Sequence, residues 1–237
     1  MNNIAAKRRW VQFSLRGMLA GMTILSLALG LVVNRVAKQR RAVAAIVQTG
    51  GTVFYDWNET APRAVSTVGN PAGPAWLRKL LGDDYFQRPV WISYFGNAKN
   101  EGWVQAVGDL PSTKYLLLAR GDITDEIFAR LAPLPNLQEL QLEGAAVTDQ
   151  GFKHIGKFPR LRWLNASGTE VSDLGLSTLA ALNLEELSLR DTGVSDAAAP
   201  VLATMKHLQK LDLRRSAVTE AGAERLRRAL PNCKVTR

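Results

Sequence analysis

From residue 113 to the C-terminus, apolar and polar positions follow one rule five times over. Stretches beginning at Thr113 (TKYLLLARGDITDEIF), Leu137 (LQELQLEGAAVTDQGF), Leu161 (LRWLNASGTEVSDLGL), Leu184 (LEELSLRDTGVSDAAA) and Leu208 (LQKLDLRRSAVTEAGA) superpose, at steps of 24, 24, 23 and 24 residues. The first half of each unit alternates apolar with polar, which predicts a strand; the second half spaces its apolar residues three and four apart, which predicts a helix. A weaker copy precedes them in PVWISYFGNAKNEGWVQAVGDLP, from Pro89. Here Ile92 and Tyr94 stand where Leu116 and Leu118 do, and Val104, Val107 and Leu110 where Phe128, Leu131 and Leu134 do. One strand and one helix cannot bury their apolar faces alone, so the units must stack. Strands about 4.8 Å apart would form a parallel sheet on the inside of a curve, with helices outside. Each buried Leu in the shared core contributes roughly 1.5–3 kcal/mol.

A hydroxyl–acid pair recurs between strand and helix: Thr124-Asp125, Thr148-Asp149, Ser172-Asp173, Ser195-Asp196 and Thr219-Glu220. A hydroxyl just before a helix caps its free N–H groups, and an acid in the first turn faces the positive end of the helix dipole. One acid per repeat makes a ladder and no converging set of ligands, so the column argues against calcium and against catalysis. The expected role is to hold shape.

The first 112 residues read differently. GMLAGMTILSLALGLVV, Gly17 to Val33, is an uncharged run; as a helix it spans about 25 Å, the short end of a membrane crossing. Arg16 and Arg35 flank it, and Trp10 and Phe13 suit the headgroup region. Ala28-Leu29-Gly30 offers a signal-peptide cleavage site, but three apolar residues and a basic cluster follow it, which favours an uncleaved anchor. Basic residues tie across the segment, four on each side. A short basic tail ahead of a first apolar segment stays cytoplasmic as a rule, which puts the repeats on the extracytoplasmic side. Gly17 and Gly21 form a G-x-x-x-G pair that would support a weak homo-oligomer through this helix. The expected organisation is a basic tail (1–16), a transmembrane signal anchor (17–34), a juxtamembrane helix and first strand (35–57), a linker loop (58–75), a capping helix with a degenerate repeat (76–112), and five repeats with a short C-terminal cap (113–237).

Charge changes the picture only by its location. The net charge is +9, but residues 1–41 carry eight basic residues and no acid, leaving +1 for the rest. A nearly neutral repeat region has no field for phosphate backbones, so no nucleic-acid partner is expected. GFKHIGKF, Gly151 to Phe158, imitates a phosphate-binding loop but has Phe158 where Ser or Thr must bind the metal. His154 and His207 lie two repeats apart with no Cys partner, which argues against a zinc site. The lone Cys233 cannot form an internal disulfide and reads as a buried thiol. No nucleophile elbow and no close, non-repeating carboxylate pair appears. No catalytic residue, metal ligand or cofactor is expected, and the chain is not read as an enzyme.

The residues flanking the core Leu columns should project from the concave face. The leading column reads Trp91, Tyr115, Glu139, Trp163, Glu186, Lys210; the middle one Ser93, Leu117, Gln141, Asn165, Ser188, Asp212; the trailing one Phe95, Ala119, Glu143, Ser167, Arg190, Arg214. Exposed aromatics beside arginines are the residue types enriched at interface hot spots. Trp91, Tyr115, Trp163, Asn165, Arg190 and Arg214 are therefore the candidate partner-binding residues.

With these motifs in hand, residues 89–237 resemble the leucine-rich-repeat family, whose periods run roughly 20–29 residues. The wording is similar to the cysteine-containing, ribonuclease-inhibitor-like subclass, with Thr or Ser in place of the repeat Cys. The layout of RRWVQFSLR before an apolar segment, then AVAAIVQTGGTVFYDW and PAWLRKLLGDDYF, resembles membrane-anchored repeat proteins of planctomycete-type bacteria. The chain departs from the pattern with Ala166 at a core Leu position and Ala197 and Ala199 where Gly and Leu would stand, so looser packing is expected there. The resemblance implies an α/β leucine-rich-repeat solenoid behind an N-terminal transmembrane helix, and a role in binding a protein partner. A structural, self-associating envelope or membrane-organising protein is the alternative.

Overall fold

The computed structural model describes residues 15–56, 71–95, 102–118 and 122–237. Most of the expected basic tail, with Trp10 and Phe13, most of the expected linker, and Ala119 lie outside the described residues. The described chain divides into two compact units, Met1–Lys38 and Gln39–Arg237.

Helix α1, Leu15–Gln48, is continuous; nothing between its apolar and basic stretches breaks it. Its N-terminal part exposes large apolar side chains, among them Met22, Ile24, Leu25, Leu29 and Val33. The helix is long and apolar enough to cross a membrane by length and composition. Its last turns belong to the second unit, where Ala42 and Ile46 join the apolar core. Gln39 donates to the Gln87 carbonyl at 3.1 Å, and Arg40 pairs with Asp84 at 2.6 Å. The helix stops at Gly50, whose φ of 94° a side chain would resist.

One sheet of eight strands runs in chain order. Its members are β1 (Gly51–Tyr55), β2 (Pro89–Tyr94), β3 (Tyr115–Leu118), β4 (Glu139–Gln141), β5 (Trp163–Asn165), β6 (Glu186–Ser188), β7 (Lys210–Asp212) and β8 (Lys234–Thr236). From β2 onward every pair is parallel and the register never slips: Ile92, Leu116, Leu140, Leu164, Leu187, Leu211 and Val235 stand side by side. A slip of one residue would turn each of these core side chains to the open face.

The parallel expectation fails at β1, which runs antiparallel to β2. Tyr55, at its end, faces Pro89, at the start of β2, so the two close as a wide hairpin. The Asp56 amide donates to the Arg88 carbonyl at 3.0 Å and ties its neck, with a second bond from the Arg88 amide to the Asp56 carboxylate at 3.0 Å. A parallel neighbour needs a crossover on the helical side. This strand is delivered instead by the end of α1.

On the other side of the sheet lie α3 (Gly102–Gly108), α4 (Asp125–Arg130), α5 (Asp149–Phe152), α6 (Ala199–Leu202) and α7 (Glu220–Ala229); α2 (Ala75–Leu81) precedes β2. The uniform helices expected of each repeat are not all formed. Lys153–Lys157, Gly175–Ala181 and Asp196–Ala198 are 3₁₀ turns. Strands need about 4.8 Å of sheet each and packed helices about 8–10 Å, and slimmer 3₁₀ segments reduce that mismatch. The shortened segments include those of the two alanine-bearing repeats. The structure also corrects the column: Ala198, not Ala197, takes the glycine place, being buried while Ala197 is exposed.

The core is continuous along the stack. Phe128 and Phe158 meet edge to face at 6.1 Å, and Tyr94 stacks on the fully buried Trp103 at 4.1 Å. Cys233 is buried, and burial raises its thiol pKa, which leaves it a small apolar core residue.

Candidate functional site

Two edges of the repeat stack carry ordered polar groups, and they differ in what they leave unsatisfied. The first is the hydroxyl–acid column. Asp149 accepts from the Ser172 amide at 2.8 Å and from the Ser172 hydroxyl at 2.6 Å. Asp125 does the same for Thr148, Asp173 for Ser195, and Asp196 for Thr219. Each acid thus bonds the next repeat, a role beyond the dipole expected from sequence. The hydroxyls also cap as expected: Thr148 accepts from Gln150 N, Ser195 from Ala197 N, and Thr219 from Gly222 N. Thr124 makes no such bond. A hydroxyl that donates to the carboxylate and accepts from an amide has spent its only proton.

Glycines make room for these staples. A Cβ on Gly175 would lie 2.5 Å from the Asp149 Oδ1 and 2.8 Å from Val171; Gly151 and Gly222 are hemmed in by Asp125 and Asp196 in the same way. The last acid is Glu220, which pairs with Arg227 at 2.7 Å. Asp196 is held below the ordinary carboxylate value, chiefly by the hydroxyl and amide of Thr219 and further by Arg225. Lys157, the basic residue of the loop-like GFKHIGKF, bonds the carbonyls of Ala129 and Leu131 at the end of α4. It caps a neighbouring helix, and burial lowers its pKa.

The second edge is the open face of the sheet, where a trough of about 540 Å³ runs across β4 to β8. Trp91, Glu139, Gln141, Trp163, Asn165, Glu186, Ser188, Lys210 and Asp212 line it. Of the six residues singled out by sequence, Trp91, Trp163 and Asn165 are brought together there. Tyr115, expected to be exposed, is only 8% exposed and lies stacked on Trp91 at 5.3 Å. Arg190 and Arg214 stand exposed in the trailing column and are not among the lining residues.

Several polar groups of this face are already occupied. Asn165 Oδ1 accepts from both the amide and the hydroxyl of Ser167, at 3.0 and 2.6 Å. Ser167 has then spent its proton, so Ser188 donates to it across the 2.8 Å gap. Arg214 grips Asp212 through Nε at 2.9 Å and Nη2 at 2.6 Å, and this holds Asp212 below the ordinary carboxylate value. Lys210 pairs with Glu186 at 2.7 Å. Charge is therefore divided along the face, with Glu139 and Glu143 toward β4 and Arg190, Lys210, Arg214 and Lys234 toward β8.

Sequence reasoning did not single out Glu139, Gln141, Glu186, Ser188, Lys210 or Asp212 as lining residues. Their signal was present, since Glu139, Glu186 and Lys210 stand in the column of the aromatics and Gln141, Ser188 and Asp212 in that of Asn165, but residue type favoured the aromatics and arginines. Among the described residues no group of three metal-ligating side chains comes together.

No protein-family model matches the chain, and no curated protein does. Among solved structures it is similar to a leucine-rich-repeat protein of Leptospira interrogans, at 26% identity over 56% of this chain and 33% of that one, with a TM-score of 0.40. It is also similar to a protein from Bacteroides fragilis, at 17% identity over 56% of this chain and 49% of that one, with a TM-score of 0.40. The chain thus spans about a third and about half of these two proteins. The chain's own units repeat every 23 or 24 residues, and its strands keep an unbroken register from β2 to β8.

Proposed function

We propose that the chain is a membrane-anchored leucine-rich-repeat solenoid that binds a protein partner through the concave face of its sheet. The observation that carries this reading is the open trough, in which two half-buried tryptophans stand beside fixed polar groups over several strands. Half-exposed aromatics in an ordered polar frame suit a protein surface, because they bury large area at low entropic cost. The apolar core and the staple column lie away from this face, so its tryptophans are not needed to hold those contacts. Under this reading residues 17–34 form the anchor, residues 113–237 the binding module, and the module faces away from the cytoplasm. Catalysis has no part in it.

Two measurements test the proposal. A photo-crosslinking residue at Asn165 should capture a partner in intact cells that the same residue at Thr178, on the helical side, does not, and Trp163→Ala should abolish the capture. Equal capture from both positions, or capture indifferent to Trp163→Ala, would remove the face from consideration. Protease added outside intact cells or spheroplasts should digest the repeats while sparing a cytoplasmic control; protection until lysis would reverse the orientation.

A further inference from the structure

Within the trough, Glu139 is chemically incomplete. It stands in the leading column and is 7% exposed. Its register neighbours are Tyr115 on β3 and Trp163 on β5. Gln141 donates to its Oε1 at 2.6 Å, whereas Oε2 is shielded from solvent and has no donor among the described residues. Buried carboxylates are ordinarily paired with a cation or fully hydrogen-bonded. The other acids lining this face follow that rule, Glu186 through Lys210 and Asp212 through Arg214. Among the described residues no Lys or Arg pairs with Glu139.

The surroundings suit a particular missing partner. Trp91 stacked on Tyr115 lies on one side of the carboxylate and Trp163 on the other. Aromatic faces attract cations, and a planar guanidinium stacks on them while its N–H fork meets a carboxylate. An ammonium offers only a point charge there. Exposed Glu143, two strand positions further on from Gln141, adds negative potential on the same side. Resting on the reading of this face as a partner surface, we infer that Glu139, Trp91, Tyr115 and Trp163 form a notch that takes an arginine side chain of a protein partner. The incoming guanidinium donates to Oε2 and completes the carboxylate that the described residues leave half-bonded.

The test uses the full chain in detergent micelles, with N-acetyl-arginine methylamide as the probe and its neutral citrulline counterpart as control. The arginine amide should shift the Trp163 indole N–H resonance saturably, in the millimolar range of a few contacts. Citrulline amide, or the Glu139→Gln protein, should bind about tenfold more weakly or worse. Equal binding of citrulline, equal binding by Glu139→Gln, or no saturable shift would overturn the notch. Thermal melting separates this role from a structural one: Glu139→Gln keeps the Gln141 contact and should not lower the melting temperature, and a clear drop would make the carboxylate structural. If a captured partner is lost with Trp163→Ala but held equally by Glu139→Gln, the notch fails and the face stands. If neither change matters, both fail. Self-association relieved by Glu139→Gln, with no other partner bound, would overturn the inference of a heterologous arginine.

Discussion

The staple column and the open face are both rows of polar side chains repeating once per strand, yet they finish their chemistry differently. In the column, four aspartates each receive two donors from the next repeat, and four glycine or alanine positions keep the approach clear. On the face, Asn165, Ser167 and Ser188 are bonded to one another, while Glu139 keeps one oxygen without a donor among the described residues. A satisfied row adds stability and has nothing to offer a ligand. An unsatisfied buried group costs stability, and a partner that completes it gains the difference. The two rows separate holding the stack from reading a partner.

Removing a staple should have the largest effect. Asp149→Ala strips two acceptors from Ser172 and should cost about 2–3 kcal/mol in denaturant unfolding; a loss below about 0.5 kcal/mol would demote the column to ornament. Gly175→Ala should cost about 1–2 kcal/mol, because the new methyl meets Asp149 and Val171. The native Ala198 sets the lower end of that range. It shows that the column tolerates a methyl where the segment begins as a 3₁₀ turn, with the Asp173 staple intact.

Acid should weaken the staples as well. Asp196 has its folded pKa depressed below 3.8, so its contribution is fully present above the ordinary carboxylate value. It is lost as the pH falls through the lower folded value, because only the unfolded chain still gains by binding the proton first. Melting temperature measured against pH should fall on that acid limb, and Asp196→Asn should flatten it. The smallest effect belongs to the face. Glu139→Gln should change unfolding free energy by no more than about 0.5 kcal/mol, and not downward, since it removes an incompletely bonded charge.

Much of the fold was legible in the residues. The steps of 24, 24, 23 and 24 gave the strand positions, and the register from β2 to β8 follows them without a slip. The role of Asp149 as a shape-holder was legible too, though not its partner: a cap and a dipole are local, whereas the bond to Ser172 needs the next repeat in place. The direction of β1 was not legible, because TVFYDW alternates equally well in a parallel or antiparallel pair. The 3₁₀ turns were hidden for a similar reason. Apolar residues three and four apart fit either helix, and the choice depends on the space neighbouring repeats leave.

The candidate face shows the same limit. The columns placed Trp91, Tyr115 and Trp163 on one side of the sheet, but only stacking decided that Tyr115 lies under Trp91 while Trp163 borders the trough. Arg214 reads as a free cation in sequence and is held by Asp212 in the structure.

By itself the sequence determined the period, the strand columns and the apolar core, because each depends on spacing along a chain of fixed rise per residue. Only the tertiary structure decided which polar groups are satisfied. A hydrogen bond joins residues about 23 positions apart through a distance of under 3 Å, and that closeness exists only once neighbouring repeats have stacked.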